Sequence, residues 1–342
     1  MIKRTMILDG VGRAVDVLPG ETLLMALERT GYRMRRSCRN GVCEICQITL
    51  LQGEVEQRYP SGRFEGPRAN ILACTAIAQT DLRVAIEGLQ MPGVLAVKKV
   101  VCEITSTEKL NHDVYRVRLH LPPTASHAVE YYAGQYLNIL LPNGKQASFS
   151  IASAPDMGRD VELHIRHIPE SEMSSAVVDH VMNNASVEVE MPHGDCFVKA
   201  TEMKDDTTLI LAAASTGFAQ VKSMVEHLLA NQHHNPIHIY WGVRSAEDFY
   251  LDDLPEQWAR EHTHVQMTRV VSEPDTSPDW QGRTGLLPEA VLEDFSSFEN
   301  TLMVGAGSPG MVYALQDACE VEGLKPEQLI SDVFAYAPRP AK

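Results

Sequence analysis

Three cysteines crowd one short stretch, Cys38, Cys43 and Cys46, and a fourth follows at Cys74. The spacing is C-x4-C-x2-C, then 27 residues, then C. Four thiolates in that pattern suit a [2Fe–2S] cluster with two ligands per iron. The close trio must come from one tight loop, where Gly41 lets the backbone fold around sulfide. Structural zinc is usually held by two short C-x2-C-like pairs, whereas here three cysteines share a loop. Such a cluster takes one electron at a time, so the chain needs a source of electrons and an acceptor. The remaining cysteines, Cys102, Cys196 and Cys319, are scattered and odd in number, and read as small apolar core residues.

The chain has 342 residues, long enough for two or three domains. Hydrophobic content of 44% and charged content of 22% are ordinary for globular domains with real cores. A net charge of −15 argues against a nucleic-acid partner and suits docking to a basic redox partner. No apolar run approaches the roughly 18 residues of a membrane span, and the first residues lack the apolar core and cleavage site of a signal peptide. The expected compartment is the cytoplasm.

These residues need elements to position them. In residues 1–90, strands at 2–8 and 13–17 flank the turn Asp9–Gly12, and a helix opens after Pro19-Gly20 with Leu23, Leu24, Ala26 and Leu27 inward and Gly31 at its end. Strands at 46–51 and 82–86 follow, which makes a β-grasp pattern. Residues 88–98 form a short Pro- and Gly-containing linker. Residues 99–202 have β texture, with strands at 100–104, 114–119, 136–141, 147–153 and 161–166 and a helix at 174–182, so a closed antiparallel barrel is expected. Residues 205–342 alternate between types. Strands are expected at 208–214, 237–242, 265–271, 302–307 and 329–334, with a helix at 218–230, a helix or loop at 252–261, and a helix opened by Ser308-Pro309. That alternation implies an open, largely parallel sheet with a ligand crevice at its carboxyl ends.

On the cysteine pattern and the β-grasp order, residues 1–87 resemble a plant-type [2Fe–2S] ferredoxin. Glu44 stands where that family usually has Gly, and its charge should lower the cluster's reduction potential. Residues 99–342 resemble the ferredoxin-NAD(P)H reductase superfamily, closest to bacterial flavin reductases and oxygenase reductase components. Seven stretches carry this resemblance: Ala147–Ser153, Leu163–Ser174, Ala214–Gln220, Tyr240–Arg244 with Asp248-Phe249-Tyr250, Trp280–Gly285, Val304–Met311 and Ser331–Tyr336. The resemblance implies a multidomain α+β and α/β protein: a β-grasp ferredoxin, a flavin-binding barrel and a Rossmann-like NAD(P) domain.

The resemblance also implies site residues. Phe149 would lie along the flavin ring with Ser150 near its N5, and Ile151, Ser153, His164, Arg166 and Ser174 would complete the flavin region. Thr216 and Gly217 would approach the nicotinamide, with Trp241, Gly242, Arg244, Gly305, Gly307 and Ser308 around the nucleotide. Phe334 would stack near the flavin or pack in the core. Ser150 and Thr216 are the catalytic candidates, and Cys38, Cys43, Cys46 and Cys74 the iron ligands.

Three departures stand out. Ala147 replaces the family Arg that grips the flavin phosphate, Glu170-Ser171-Glu172 replaces glycines at the pyrophosphate, and Ala306 replaces the family Cys near the nicotinamide. Arg166 could partly compensate, or be an exposed surface charge. Arg244-Ser245 could face a 2′-phosphate, while Glu247-Asp248 could favour a free ribose, so NADH and NADPH stay open. The scattered histidines form no ligand set, and His233-His234 reads as solvated loop.

The expected function is electron transfer from NAD(P)H through flavin, as FAD, FMN or a loosely bound form, to the [2Fe–2S] cluster. The cluster would serve a redox partner protein such as an oxygenase component or another iron-dependent enzyme, including a sugar-deoxygenation dehydrase. Two alternatives remain: a free-flavin reductase with an appended ferredoxin, and a cofactor-depleted scaffold presenting the ferredoxin.

Overall fold

In the computed structural model, residues 3–32, 34–36, 38–89, 91, 95–122, 130–198, 203–204, 206–251 and 253–339 are described. The chain forms two compact units, residues 1–96 and 97–342. Parts of the expected first strand (Ile2) and of the 88–98 linker (Gln90, Pro92 to Val94) lie outside the described residues. Among the described residues no helix is long and apolar enough to cross a membrane.

The first unit builds a mixed sheet from β1 (Arg4–Leu8), β2 (Arg13–Val17), β3 (Gln47–Gln52), β6 (Ala69–Leu72) and β8 (Leu82–Ala85), in the order β2-β1-β8-β3-β6. Helix α1 (Leu23–Arg29) lays Leu23, Leu24, Ala26 and Leu27 on it, at the i, i+3, i+4 spacing of a buried face. Thr22 caps the helix by accepting the Met25 amide, and Gly31 takes the left-handed conformation just past its end. A second sheet of β4 (Glu54–Arg58), β5 (Ser61–Glu65) and β7 (Ala76–Ala78) was not anticipated. Gln57, buried on β4, bonds the Leu72 amide and the Pro60 carbonyl.

The second unit opens with six antiparallel strands: β9 (Lys98–Lys109), β10 (Val114–His120), β11 (Tyr136–Leu140), β12 (Gln146–Ser150), β13 (Asp160–Arg166) and β14 (Ser186–His193). Their order is β12-β11-β14-β9-β10-β13, and a bridge between Ile151 and Leu163 joins the two ends. This is the expected closed barrel. Its interior is filled by side chains such as Leu137, Ile151, Leu163 and Ile165, with α2 (Glu172–Asn183) against it, so ligands must bind outside.

The remainder is a parallel sheet of β15 (Thr208–Ala214), β16 (Ile237–Val243), β17 (Val265–Val271), β18 (Arg283–Thr284), β19 (Thr301–Ala306) and β20 (Leu329–Ile330), ordered β18-β17-β16-β15-β19-β20. Helices α3 (Phe218–Ala230), α4 (Leu254–Glu261), α5 (Leu287–Asp294) and α6 (Pro309–Val321) cover it. The expected final strand to Phe334 is corrected. Strand β20 stops at Ile330, because the Ser331 hydroxyl donates to the Gly305 carbonyl and accepts the Val333 amide. That turns the chain into the short helix α7 (Val333–Tyr336).

Helix α3 joins barrel to sheet by having two kinds of face. Phe218, Val221, Met224, Val225 and Leu228 pack on the sheet. Its buried polar residues bond barrel backbone instead: Gln220 to the Gly134 carbonyl at 2.6 Å, Lys222 to Ala152 at 3.2 Å and Ser223 to Ser153 at 2.7 Å. Buried polar groups are tolerable only when paired in this way.

Candidate functional site

In the first unit the four predicted cysteines converge in two pairs. The Cys46 and Cys74 sulfurs lie 3.1 Å apart and buried, and Cys38 and Cys43 exchange backbone N–H···S contacts at 3.3 and 3.5 Å. The loop closes because Arg39, Gly41 and Glu44 all take positive φ. Gly41 is required as glycine: a Cβ there would lie 2.6 Å from the Tyr59 carbonyl oxygen and 2.9 Å from the Tyr59 ring. Glu44 adopts φ 57° where the family has glycine, and so keeps the loop's path.

The electrostatics fit an iron–sulfur group. Backbone amides of Asn40, Cys43 and Val42 stabilise the Cys38 thiolate and hold it down at about 6. Burial and the adjacent Cys46 push Cys74 up to about 12. Two crowded thiols in a dry pocket resist ionising together, and a cationic metal removes that resistance. Cys102, Cys196 and Cys319 are buried elsewhere in hydrophobic cores.

In the second unit, β15 and β19 are neighbours from which the sheet grows in opposite directions, so their carboxyl ends form a topological switch point. A cavity of about 470 Å³ lies there, between Ser148-Phe149-Ser150 of the barrel and the turns after β15 and β19. Of the predicted residues it brings together Phe149, Ser150, His164, Arg166, Thr216, Gly217, Gly305, Gly307 and Ser308. The two turns touch: a Cβ on Gly217 would sit 2.4 Å from the Ala306 carbonyl oxygen. Ser215 takes φ 51°, and its carbonyl accepts the Trp241 indole N–H at 3.0 Å. Trp241 is fully buried and stacks on Phe218 at 4.0 Å, so it shapes the turn from beneath and does not line the cavity.

Several predicted contacts lie elsewhere. Ile151 is inside the barrel. Ser153 accepts the Glu162 amide, and its carbonyl accepts Tyr131 and Ser223. Phe334 packs against Tyr313 and the sheet core. The cavity wall at the chain's end is formed by Ser331, Asp332 and Tyr336, which the sequence reading did not single out. Asp332 accepts from Gln220 at 2.9 Å, and burial raises its carboxyl to about 6. Arg166 is half-buried and paired with Asp113, not an exposed surface charge. His164 is buried between Glu162 (2.9 Å) and Tyr250 (3.1 Å), and burial lowers its basicity.

The cavity is lined by residues expected at a flavin ring, but Ala147 stands where an Arg was expected to grip the flavin phosphate. Ala147 offers no donor. At the start of α2 the Ser171 hydroxyl accepts the Ser174 amide, and Ser174 itself is used by the Ile168 amide and the Arg166 carbonyl. Glu170 and Glu172 add negative charge there.

A second cavity of about 410 Å³ continues along β16, lined by Gly242, Arg244, Ser272, Leu287 and Met311, and shares Ala214, Ser215 and Ser308 with the first. Gly242 lies close under Leu287, where a Cβ would clash at 2.6 Å. Arg244 is its one charged lining residue among those described. Asp248, the acidic alternative, is occupied by the Ser245 amide and His112.

Comparison with known proteins agrees with this construction. The profile of a 2Fe-2S iron-sulfur cluster binding domain matches residues 6–79, an Oxidoreductase FAD-binding domain matches 101–197, and an Oxidoreductase NAD-binding domain matches 211–317. The chain is 35% identical over 314 residues to Protein RfbI of Salmonella typhimurium, covering 92% of this chain and 91% of that one. It is 31% identical over 315 residues to the CDP-6-deoxy-L-threo-D-glycero-4-hexulose-3-dehydrase reductase of Yersinia pestis, covering 92% and 93%. Among solved structures, the Amycolatopsis cytochrome P450 reductase GcoB aligns over 96% of this chain and 98% of its own, with a TM-score of 0.66 and 26% identity. The chain thus belongs to the ferredoxin-NAD(P)H reductases that carry an N-terminal 2Fe-2S domain, as an NAD(P)H-dependent iron–sulfur flavoprotein oxidoreductase that moves electrons from NAD(P)H by way of flavin to a [2Fe–2S] cluster.

Proposed function

We propose that the chain supplies single electrons to an iron-dependent protein acceptor of the hexulose-3-dehydrase kind named in its Yersinia pestis relative. The observation that carries this reading is the pairing of an intact four-thiol loop with a reductase cleft at the β15/β19 switch point. An oxygenase-type acceptor is the second reading, favoured by the likeness to GcoB. The implied compartment is the cytoplasm, where NAD(P)H is made and the three cysteines outside the cluster loop, Cys102, Cys196 and Cys319, stay reduced.

When bound, flavin takes a hydride's two electrons together and releases them singly, and the cluster carries them one at a time. The chain's residues hold these groups. Cys38 and Cys43 would hold one iron, and Cys46 and Cys74 the other. Ser148, Phe149 and Ser150 would hold the flavin ring, with Tyr336 as a further aromatic of the same cavity. Thr216, Gly217, Gly307 and Ser308 would seat the nicotinamide, and Gly242 and Arg244 the rest of the dinucleotide. The reaction needs positioning more than a thiol at Ala306. With Ala147 in place of the family Arg and Glu170 and Glu172 at the start of α2, the flavin is held mainly through its ring and exchanges readily.

Desalting the purified protein and then adding NAD(P)H anaerobically tests this. Cluster bleaching that is lost on desalting and restored by added flavin is expected. Undiminished bleaching after desalting overturns the exchangeable flavin, and no bleaching even with flavin overturns the reductase reading.

A further inference from the structure

The chain's acidity is not shared evenly. Residues 1–96 hold 12 of the 30 Lys and Arg and 10 of the 45 Asp and Glu, a formal +2, which leaves −17 for residues 97–342. Within the first unit, arginines gather at the cysteine loop. Arg35, Arg36 and Arg39 flank Cys38 in sequence. Arg58 is brought there by its amide bond to the Thr75 carbonyl, one residue from Cys74. Glu28 offsets two of them, pairing with Arg36 and with Arg39 at 2.9 Å. Arg35 and Arg58 are exposed and make no ion pair among the described residues. Glu44 is the other carboxylate in the loop.

The same rim exposes apolar surface. Val42 is 66% exposed, Ile45 49% and Tyr59 54%, and Tyr59 packs directly against Gly41. Val42 and Ile45 adjoin Cys43 and Cys46 in sequence, so an acceptor that approaches the loop closely must cover them. An apolar centre ringed by polar residues is the anatomy of a transient interface, and the ring here is basic.

We infer that the cysteine-loop rim, with Val42, Ile45 and Tyr59 at its centre and Arg35, Arg39 and Arg58 around them, docks the acidic face of the protein that receives the cluster's electrons. This rests on the electron-exit role given to the cluster above, and it reverses the expectation, drawn from the whole-chain charge, of a basic partner. Charge complementarity of this kind acts mainly on encounter rate and weakens with salt.

The test uses the full holoprotein with its cluster reduced by dithionite, so that it does not depend on the NAD(P)H route. Two haem proteins serve as acceptors, acidic cytochrome b5 and basic cytochrome c, followed at their own haem bands. Reduction of cytochrome b5 should slow about tenfold between low and high salt, and R35E/R58E should slow it by a similar factor at low salt. The control R159E/R260E changes net charge equally on exposed arginines of the other unit and should alter it by less than about twofold. Visible circular dichroism of the cluster confirms that each variant retains it. A cytochrome b5 rate that R35E/R58E leaves unchanged, or that both double variants slow alike, overturns the inference. Loss of NAD(P)H-driven cluster reduction with the salt and charge effects intact would instead fault the reductase reading alone.

Discussion

Gly217 and Ala306 meet at the switch point of the parallel sheet, so closely that a side-chain carbon at 217 would come within 2.4 Å of the Ala306 carbonyl oxygen. This contact fixes the spacing of the two turns that face Phe149 and Ser150 across the cleft. Gly217→Ala must push the Ala306–Gly307 turn away. Displacements of about 1 Å in such sites cost on the order of 100-fold. Steady-state NAD(P)H oxidation with ferricyanide should show kcat/KM reduced by about that factor, with the far-ultraviolet circular dichroism unchanged.

Arg244 is the charged residue of the dinucleotide cavity, and Asp248 is held away by the Ser245 amide and His112. A guanidinium is a strong phosphate partner. Arg244→Ala should lower kcat/KM for NADPH about tenfold and leave NADH nearly untouched, as measured with each nucleotide in parallel.

Glu162 is buried among cations. It lies 3.3 Å from Arg118, 3.4 Å from Lys222 and 3.5 Å from Arg116, with His164 at 2.9 Å, and these hold its carboxyl far below the usual range although burial opposes them. A depressed folded-state pKa means stability that is present above the unfolded value and is lost as pH falls through it. Glu162→Gln leaves those cations facing a neutral amide and should cost about 3–5 kcal/mol at pH 7 in urea unfolding. The deficit should shrink on acidification below about pH 4.

Asp332 has the opposite sign. Burial raises its folded pKa to about 6, so the ionised form is disfavoured in the fold, and stability declines as pH rises from the unfolded value through 6. Asp332→Asn keeps an acceptor for Gln220 and removes that loss. The variant should gain up to about 2 kcal/mol over the parent at pH 7 relative to pH 4.5, read as a shift in melting temperature.

Much of this architecture was legible because its signals are local. The C-x4-C-x2-C spacing required one loop, and the structure brings Cys38 to Cys43 and Cys46 to Cys74. The buried run Leu209–Ala213 and the apolar spacing of α3 gave elements whose bounds match closely. Strand β4 was missed because its inward positions are Val55 and the polar Gln57, which breaks the alternation. Strand β14 was missed although Val187, Val189 and Met191 alternate plainly.

Phe334 packs in the core and Tyr336 lines the cavity because Ser331 turns the chain into α7, a tertiary contact with Gly305 that no periodicity encodes. The roles of Gln220, Lys222 and Ser223 were equally hidden. On α3 alone they look like a solvated face, and only the barrel carbonyls they meet make them structural. The basic rim was countable from the sequence, but only once charge was assigned unit by unit.

The most direct test is anaerobic stopped-flow mixing of the flavin-loaded protein with NADPH, with the flavin and cluster bands followed together. The account predicts that flavin absorbance falls first and cluster absorbance follows, with neither cluster bleaching nor lag in protein stripped of flavin. Reduction of the flavin with the cluster left oxidised, or reduction of the cluster without flavin, would contradict it.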